Sequence, residues 1–319
     1  MTGRREVIKV GLAALASAAS VGSWAADKDT GEPKPSRGPL ATKAVPSTGE
    51  RLVVVGLGTN NYSPTTAEER AARREVVAGL TAAGASVIDT APAYRQSEEV
   101  LGELIADIGN RKQAFIATKV TADNGNLAQG VAMIEESMRR LKTDVLDLVQ
   151  IHSLNGVDVL FPHLFDLKKK GRIRYIGVTT SSGSQHAAMV ELIKSQPLDF
   201  VQVDYSLANR AAAEAVLPAA LERRVGVLVN LPFGGRRDGS LFRRVANAEL
   251  PEWAGEIGAR SWSQVFLKYV VSHPAVTVAI PGMTKIDHLE DNLEAARGRM
   301  PDAAMRARME KFWDQRFES

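Results

Sequence analysis

Cysteine is absent from the 319 residues, which excludes disulfides, thiolate metal sites and a cysteine nucleophile. Aromatic residues are sparse, at 6%, and no basic stripe interleaves with them, so nothing points to a nucleic-acid partner. Charge of either sign is not in excess: 40 Lys and Arg against 37 Asp and Glu give +3. Arg4, Arg5 and Lys9 less Glu6 supply +2 of that, leaving +1 for the remainder, so the basic balance carries no argument about partners. The chain has 5 histidines, and His163, His186, His273 and His288 lack partners at metal-ligand spacing; no metal site is expected. The most apolar N-terminal run ends near Val21 and is rich in Ala, Gly and Ser, too short and too weak to span a bilayer, so no stable membrane insertion is expected.

What is present suffices for a large core: 45% of the residues are hydrophobic, and one barrel-sized domain can absorb nearly all of them. The first residues read Met-Thr-Gly-Arg4-Arg5-Glu6-Val7-Ile8-Lys9, then an Ala-rich apolar run, then Ser23-Trp24-Ala25. A charged start, a short apolar middle and small residues at the end describe a secretory signal over residues 1–25. The paired arginines resemble a twin-arginine signal, implying the twin-arginine export machinery as a partner and a periplasmic location. An uncleaved segment would instead tether the protein to the membrane. Residues 26–47 are rich in Pro, Gly, Lys, Asp and Ser and read as a flexible tether, with the folded domain over 48–319.

From Leu52 onward, short β-branched runs alternate with longer stretches of helical period. The runs are 52–59, 87–92, 114–120, 146–152, 175–180, 200–206, 225–232 and 276–282, with helices between them such as 67–83, 97–109, 128–141 and 184–195. Gly84 and Gly109 fall where helix C-caps belong. Runs apolar on both faces fit parallel strands. A doubly wound open sheet is the competing architecture, but its Gly-x-Gly-x-x-Gly fingerprint fails, because Gly56-Leu57-Gly58 is followed by Asn61 where the third glycine belongs. The expected fold is α/β, a (β/α)8 TIM barrel with a long loop over 233–260 and a C-terminal helix over 300–317. Trp253 of that loop is expected to form a pocket wall.

In such a barrel all the strand ends share one rim. Asp89, Tyr94, Lys119 and His152 follow successive apolar runs and would converge there. Singly, each has an ordinary reading: Asp89 a helix cap, Tyr94 a packed loop ring, Lys119 a solvated cation, His152 a structural histidine. Together they suit proton delivery to a carbonyl. Hydride addition develops negative charge on the oxygen, and a tyrosine with a pKa near 10 is a poor acid at neutral pH. An adjacent ammonium is expected to lower that pKa. Tyr94 would be the general acid, Lys119 the neighbouring cation, Asp89 its partner, and His152 the donor that orients the substrate oxygen.

The segments Pro46-Ser47-Thr48-Gly49-Glu50, Gly56-Leu57-Gly58-Thr59, Asp89-Thr90-Ala91-Pro92-Ala93-Tyr94, Gly171-Arg172-Ile173-Arg174-Tyr175-Ile176-Gly177-Val178, Gln202-Val203-Asp204-Tyr205-Ser206 and Ile280-Pro281-Gly282 occur in the order and spacing of the aldo-keto reductases. The chain resembles that family over almost its whole length after the tether. The resemblance implies an NAD(P)H-dependent oxidoreductase that reduces an aldehyde or ketone, its catalytic residues the four above, and a monomer as in many relatives. It places Thr179 and Thr180 at a Ser-Asn pair that contacts the nicotinamide carboxamide, with Gln202 in the same role. It places Leu231, Pro232, Phe233 and Gly234 over the pyrophosphate. Gly282, Met283, Thr284, Lys285, His288, Asp291 and Asn292 would border the adenosine phosphate. Gly58, Thr59, Asn60 and Asp89 are further cofactor contacts by the same resemblance.

Two positions depart from the family pattern. Asn230 stands where many members stack a Tyr on the nicotinamide, and His288 where an Arg often clamps the 2′-phosphate. Lys285 offers a point charge there but not a bidentate fork, so NADP(H) is favoured over NAD(H) only slightly. Export leaves a second function class open: a nucleotide-binding sensor or interaction module on the same barrel, with little or no turnover. Retention of all four rim residues favours the enzyme.

Overall fold

The computed structural model describes residues 38–235 and 240–317. The expected signal and the first part of the expected tether, residues 26–37, lie outside the described residues. The last part of that tether is ordered: β1 (Thr42–Ala44) pairs antiparallel with β2 (Arg51–Val53), and Val45 between them is fully buried. Composition averaged over 26–47 conceals this, because the pairing partner lies downstream. The run expected as one strand over 52–59 is accordingly divided between β2 and β3 (Leu57–Gly58).

The succeeding strands are β4 (Val87–Asp89), β5 (Phe115–Val120), β6 (Leu146–His152), β7 (Ile173–Thr179), β8 (Phe200–Asp204), β9 (Gly226–Asn230) and β10 (Val278–Ala279). They pair in parallel and in sequence order from β3 to β10. Bridges Val55–Ala279 and Gly58–Gly282 close the sheet on itself. The glycines of the failed dinucleotide fingerprint make this seam. A Cβ on Gly56 would lie 2.8 Å from the Val87 carbonyl oxygen, and one on Gly58 2.7 Å from that of Ile280. A side chain on Gly58 would part the first and last barrel strands, and one on Gly56 would press into β4.

The helices α1 (Ala67–Ala82), α2 (Ser97–Ile108), α3 (Leu127–Arg140), α4 (Val157–Lys169), α5 (His186–Ser195) and α6 (Val216–Glu222) follow successive strands up to β8. Thr66 caps α1 by accepting from the Glu69 amide at 3.2 Å, and α2 ends on Gly109 at φ 75°. The long β9–β10 connection holds α7 (Leu241–Arg244) and α8 (Trp262–Val271); α9 (Ile286–Glu294) and α10 (Ala303–Phe317) complete the chain. Trp253 is 4% exposed and packs edge-on against Phe312 at 5.7 Å, so it belongs to the core and not to a pocket wall. Among the described residues no helix is long and apolar enough to cross a membrane.

The strand pleat sorts the barrel interior by height. Phe115, Ala117, Leu148, Tyr175, Phe200, Leu228 and Val278 form one buried cluster with Val45 and Leu52, so the β1–β2 hairpin plugs the N-terminal end. Burying a residue of that size contributes about 1.5–3 kcal/mol. Further along the same inward faces the side chains turn polar: Asp89, Lys119, Gln150, Thr179 and Gln202, all buried. The register pairs Lys119 with Gln150 and Thr179 with Gln202.

Candidate active site

Asp89 is the last residue of β4, and Lys119 the fifth of the six in β5. Both point into the barrel and are 2% and 1% exposed. Lys119 Nζ donates to Asp89 Oδ1 at 2.8 Å, to Asp89 Oδ2, and to the Thr90 carbonyl at 2.8 Å. The same ammonium is also hydrogen-bonded to the Tyr94 side chain. Deleting one member of such a pair strands a charge in a low-dielectric interior. Tyr94, on the turn from β4 into α2, lies with its ring centroid 4.8 Å from Lys119 Nζ. His152 ends β6 and meets the Tyr94 ring edge-on at 6.5 Å, with an interplanar angle of 89°. Barrel topology thus brings together the four residues that lie 63 positions apart at their extremes (152 − 89 = 63).

Burial pushes the Tyr94 phenol up; the Lys119 charge pulls it down and the Asp89 charge raises it again, and the net direction is upward. This corrects the expectation of a lowered pKa. Burial outweighs the Lys119 charge and hydrogen bond, and the Asp89 charge offsets part of what Lys119 supplies. Burial pushes the Lys119 ammonium down, but Asp89 and Tyr94 outweigh it and the group is held protonated. Burial and then the Lys119 charge lower the His152 imidazole, leaving it neutral at physiological pH with one N–H to donate.

Supporting contacts come from residues read earlier as cofactor contacts. Gln202 Nε2 donates to Asp89 Oδ1 at 2.7 Å, and its Oε1 accepts from Thr179 Oγ1 at 2.9 Å. Thr59 Oγ1 donates to the Asp89 carbonyl at 2.8 Å and lies 2.8 Å from Ser97 Oγ, which lies 2.9 Å from Thr90 Oγ1. This hydroxyl cluster fixes the turn that carries both Asp89 and Tyr94. The sequence did not single out Ser97, although its place three residues after Tyr94, opening α2, is a helix-start signal.

A cleft of about 1190 Å³ opens above the polar layer. Tyr94 and His152 line it, as do Asn60, Thr180, Leu231, Gly234 and Thr284. Asn230 is half-buried at the end of β9 with its Oδ1 unpartnered. Several other residues assigned to the cofactor by resemblance have contacts within the fold. Gly58 is in the barrel seam, its amide donating to the Pro281 carbonyl at 2.9 Å. Pro232 is buried, and Phe233 packs on Phe242 at 4.9 Å and Phe266 at 6.4 Å. Met283 is 1% exposed in the core. The Asp291 carboxylate accepts from Ser261 Oγ at 2.8 Å and Gln264 Nε2 at 2.7 Å, holding the start of α8, and Asn292 is buried. A linear motif fixes position along the chain but not which face a side chain takes. Gly282, Lys285 and His288 are exposed around the start of α9.

Asp204 and Arg95 also line the cleft. The alternation Phe200, Gln202, Asp204 along β8 carries a signal for the former, since all three share the inward face. For Arg95 the sequence carries none beyond adjacency to Tyr94.

The model of the Aldo/keto reductase family matches residues 54–313. Aldo-keto reductase YhdN of Bacillus subtilis is 32% identical over 225 residues, covering 66% of this chain and 64% of that protein. Methylglyoxal reductase YeaE of Escherichia coli is 31% identical over 235 residues, covering 70% and 80%. A solved aldo/keto reductase from Klebsiella pneumoniae in complex with NADP and acetate superposes with a TM-score of 0.65 at 24% identity, over 83% of this chain and 93% of that one.

Proposed function

The chain belongs to the aldo/keto reductase family, and from that premise we propose that it reduces an aldehyde or ketone to an alcohol at the expense of NAD(P)H, with Tyr94 as acid. The observation that carries this is the Asp89–Lys119 ion pair buried beneath Tyr94 and His152 in one cleft. The cleft fits a dinucleotide: it runs from Tyr94 to Leu231, Gly234 and Thr284, and Asn230, whose Oδ1 is buried and unpartnered, directly precedes Leu231. Thr180, Asn230, Leu231, Gly234, Thr284 and Lys285 would hold the nucleotide, whose nicotinamide supplies the hydride. NADP(H) is the proposed form, supported by the NADP bound in the Klebsiella pneumoniae structure.

His152, neutral, donates its N–H to the carbonyl oxygen and fixes its direction. As the carbonyl carbon gains hydride, the C=O π electrons move to oxygen, and the Tyr94 O–H bond breaks to give that oxygen its proton. Lys119 stabilises the resulting phenolate, and solvent entering the cleft restores the phenol. Donors fixed in advance at such an oxygen are worth about 3–4 kcal/mol each. Tyr94→Phe should lower kcat at least about 100-fold, with the NADPH dissociation constant unchanged in a fluorescence titration. Turnover near wild type would refute the assignment of the acid.

Residues 1–25 are proposed to export the protein, as a monomer, to the periplasm through the twin-arginine pathway. The support is the Arg4-Arg5 pair, the Ala-rich run and the small residues near Ala25. Replacing both arginines by lysine should leave the protein in the cytoplasmic fraction; unchanged periplasmic recovery would remove this proposal.

A further inference from the structure

Arg95 follows the proposed acid directly and adopts φ 55°, the left-handed region that favours glycine. Its backbone is held from both sides: Ser97 N donates to the Tyr94 carbonyl at 3.0 Å, and Gln96 N donates to Ser63 Oγ at 3.2 Å. The direction in which the side chain leaves the turn is therefore fixed. The side chain is exposed, lines the cleft, and has no hydrogen bond or ion pair among the described residues. A strained non-glycine residue beside reacting groups, held by its surroundings and carrying an unengaged guanidinium, is a sign of recognition.

We propose that Arg95 selects carbonyl substrates that carry an anionic group, a carboxylate or a phosphate, on the chain beyond the carbonyl. A guanidinium presents paired N–H donors that match either group bidentately. Arg95 is on the β4–α2 turn, and the residues proposed to hold the nucleotide come mainly from β7, β9 and the β10–α9 turn, so its charge faces the substrate's share of the cleft. The neighbouring wall is polar as well: Asn61 and Ser63 line it from the β3–α1 turn. A second guanidinium, Arg73 of α1, lines the same cleft. Two carboxylates also line the cleft: Glu69, which faces the Arg73 charge and whose Oε2 accepts from Thr65 N at 2.7 Å and Thr65 Oγ1 at 3.2 Å, and Asp204, whose Oδ2 accepts from Asn209 Nδ2 at 2.6 Å. An apolar substrate would strip water from these amides and hydroxyls without replacing their hydrogen bonds.

The inference rests on the reductase reading, and the test separates the two. NADPH consumption by the full-length protein is measured with succinic semialdehyde against butanal, and with glyceraldehyde 3-phosphate against glyceraldehyde. In wild type, kcat/KM should favour the charged member of at least one pair by about tenfold, and the favoured pair identifies the group as carboxylate or phosphate. Arg95→Gly, which suits the backbone, should erase most of that ratio, and Arg95→Lys should restore part of it. Equal ratios in wild type and Arg95→Gly overturn the proposal, as does an Arg95→Gly effect confined to NADPH affinity. No NADPH consumption with any of the four aldehydes, in a protein that binds NADPH, instead overturns the reductase reading itself.

Discussion

Gln202 reaches across the barrel to Asp89, its Nε2 donating to Oδ1 at 2.7 Å from the strand on the opposite wall. The carboxylate that holds Lys119 is therefore anchored by two donors that approach from different strands, and Thr179 fixes the amide orientation. Asp89→Asn keeps the shape but leaves the Lys119 ammonium buried without its counter-charge. A stability loss of about 3–5 kcal/mol is expected in urea unfolding, together with loss of turnover. Adding Lys119→Met should recover part of the stability and none of the activity. An Asp89→Asn protein as stable as wild type would contradict the buried ion pair.

The pH dependence of reduction should reflect an acid whose pKa is raised. Tyr94 must be protonated to act, and burial carries its pKa above the ordinary value of 10. kcat should therefore hold level from neutral pH to about 10 and fall only beyond it. An alkaline limb centred near neutrality would mean that the ammonium, not burial, controls the phenol.

Acid should weaken the fold through His273. Burial, then the charges of Arg306 and Lys43, lower its imidazole from 6.5 to about 4. Between those values the unfolded chain binds a proton that the folded one does not. Stability thus falls as pH drops from 6.5 towards 4 and rises in the reverse direction. The melting temperature measured across that window should fall more steeply for wild type than for His273→Gln. Parallel curves would exclude His273 as a source of acid lability.

The seam between the first and last barrel strands admits no side chain at Gly58. Gly58→Ala places a methyl 2.7 Å from the Ile280 carbonyl oxygen, against backbone that cannot yield cheaply. A loss of about 1–3 kcal/mol is expected in chemical unfolding, with weaker amide-exchange protection in β3 and β10. Unchanged stability would show that the barrel closes less tightly there.

Asp89, Tyr94, Lys119 and His152 were legible as a set because each follows an apolar run and a parallel barrel gathers strand ends at one rim. The packing partners of Phe233, Met283 and Asp291 were not legible. Whether a loop side chain faces a cleft or a core depends on packing partners distant in sequence, here Phe242 and Phe266, the core around Met283, and Ser261 with Gln264. The β1–β2 hairpin was hidden for a related reason: Thr42–Ala44 becomes a strand only by pairing with Arg51–Val53.

By itself, the sequence determined the alternation of strand and helix, the parallel sheet and the residue types available for chemistry, because hydrophobic period and strand-end identity are local properties. Tertiary structure decided closure through Gly56 and Gly58, the tie from Gln202 to Asp89, the upward pKa of Tyr94 and the left-handed backbone of Arg95. Each of these depends on the distance between groups far apart in the chain and on how much water their packing excludes. Neither quantity exists until the barrel has closed.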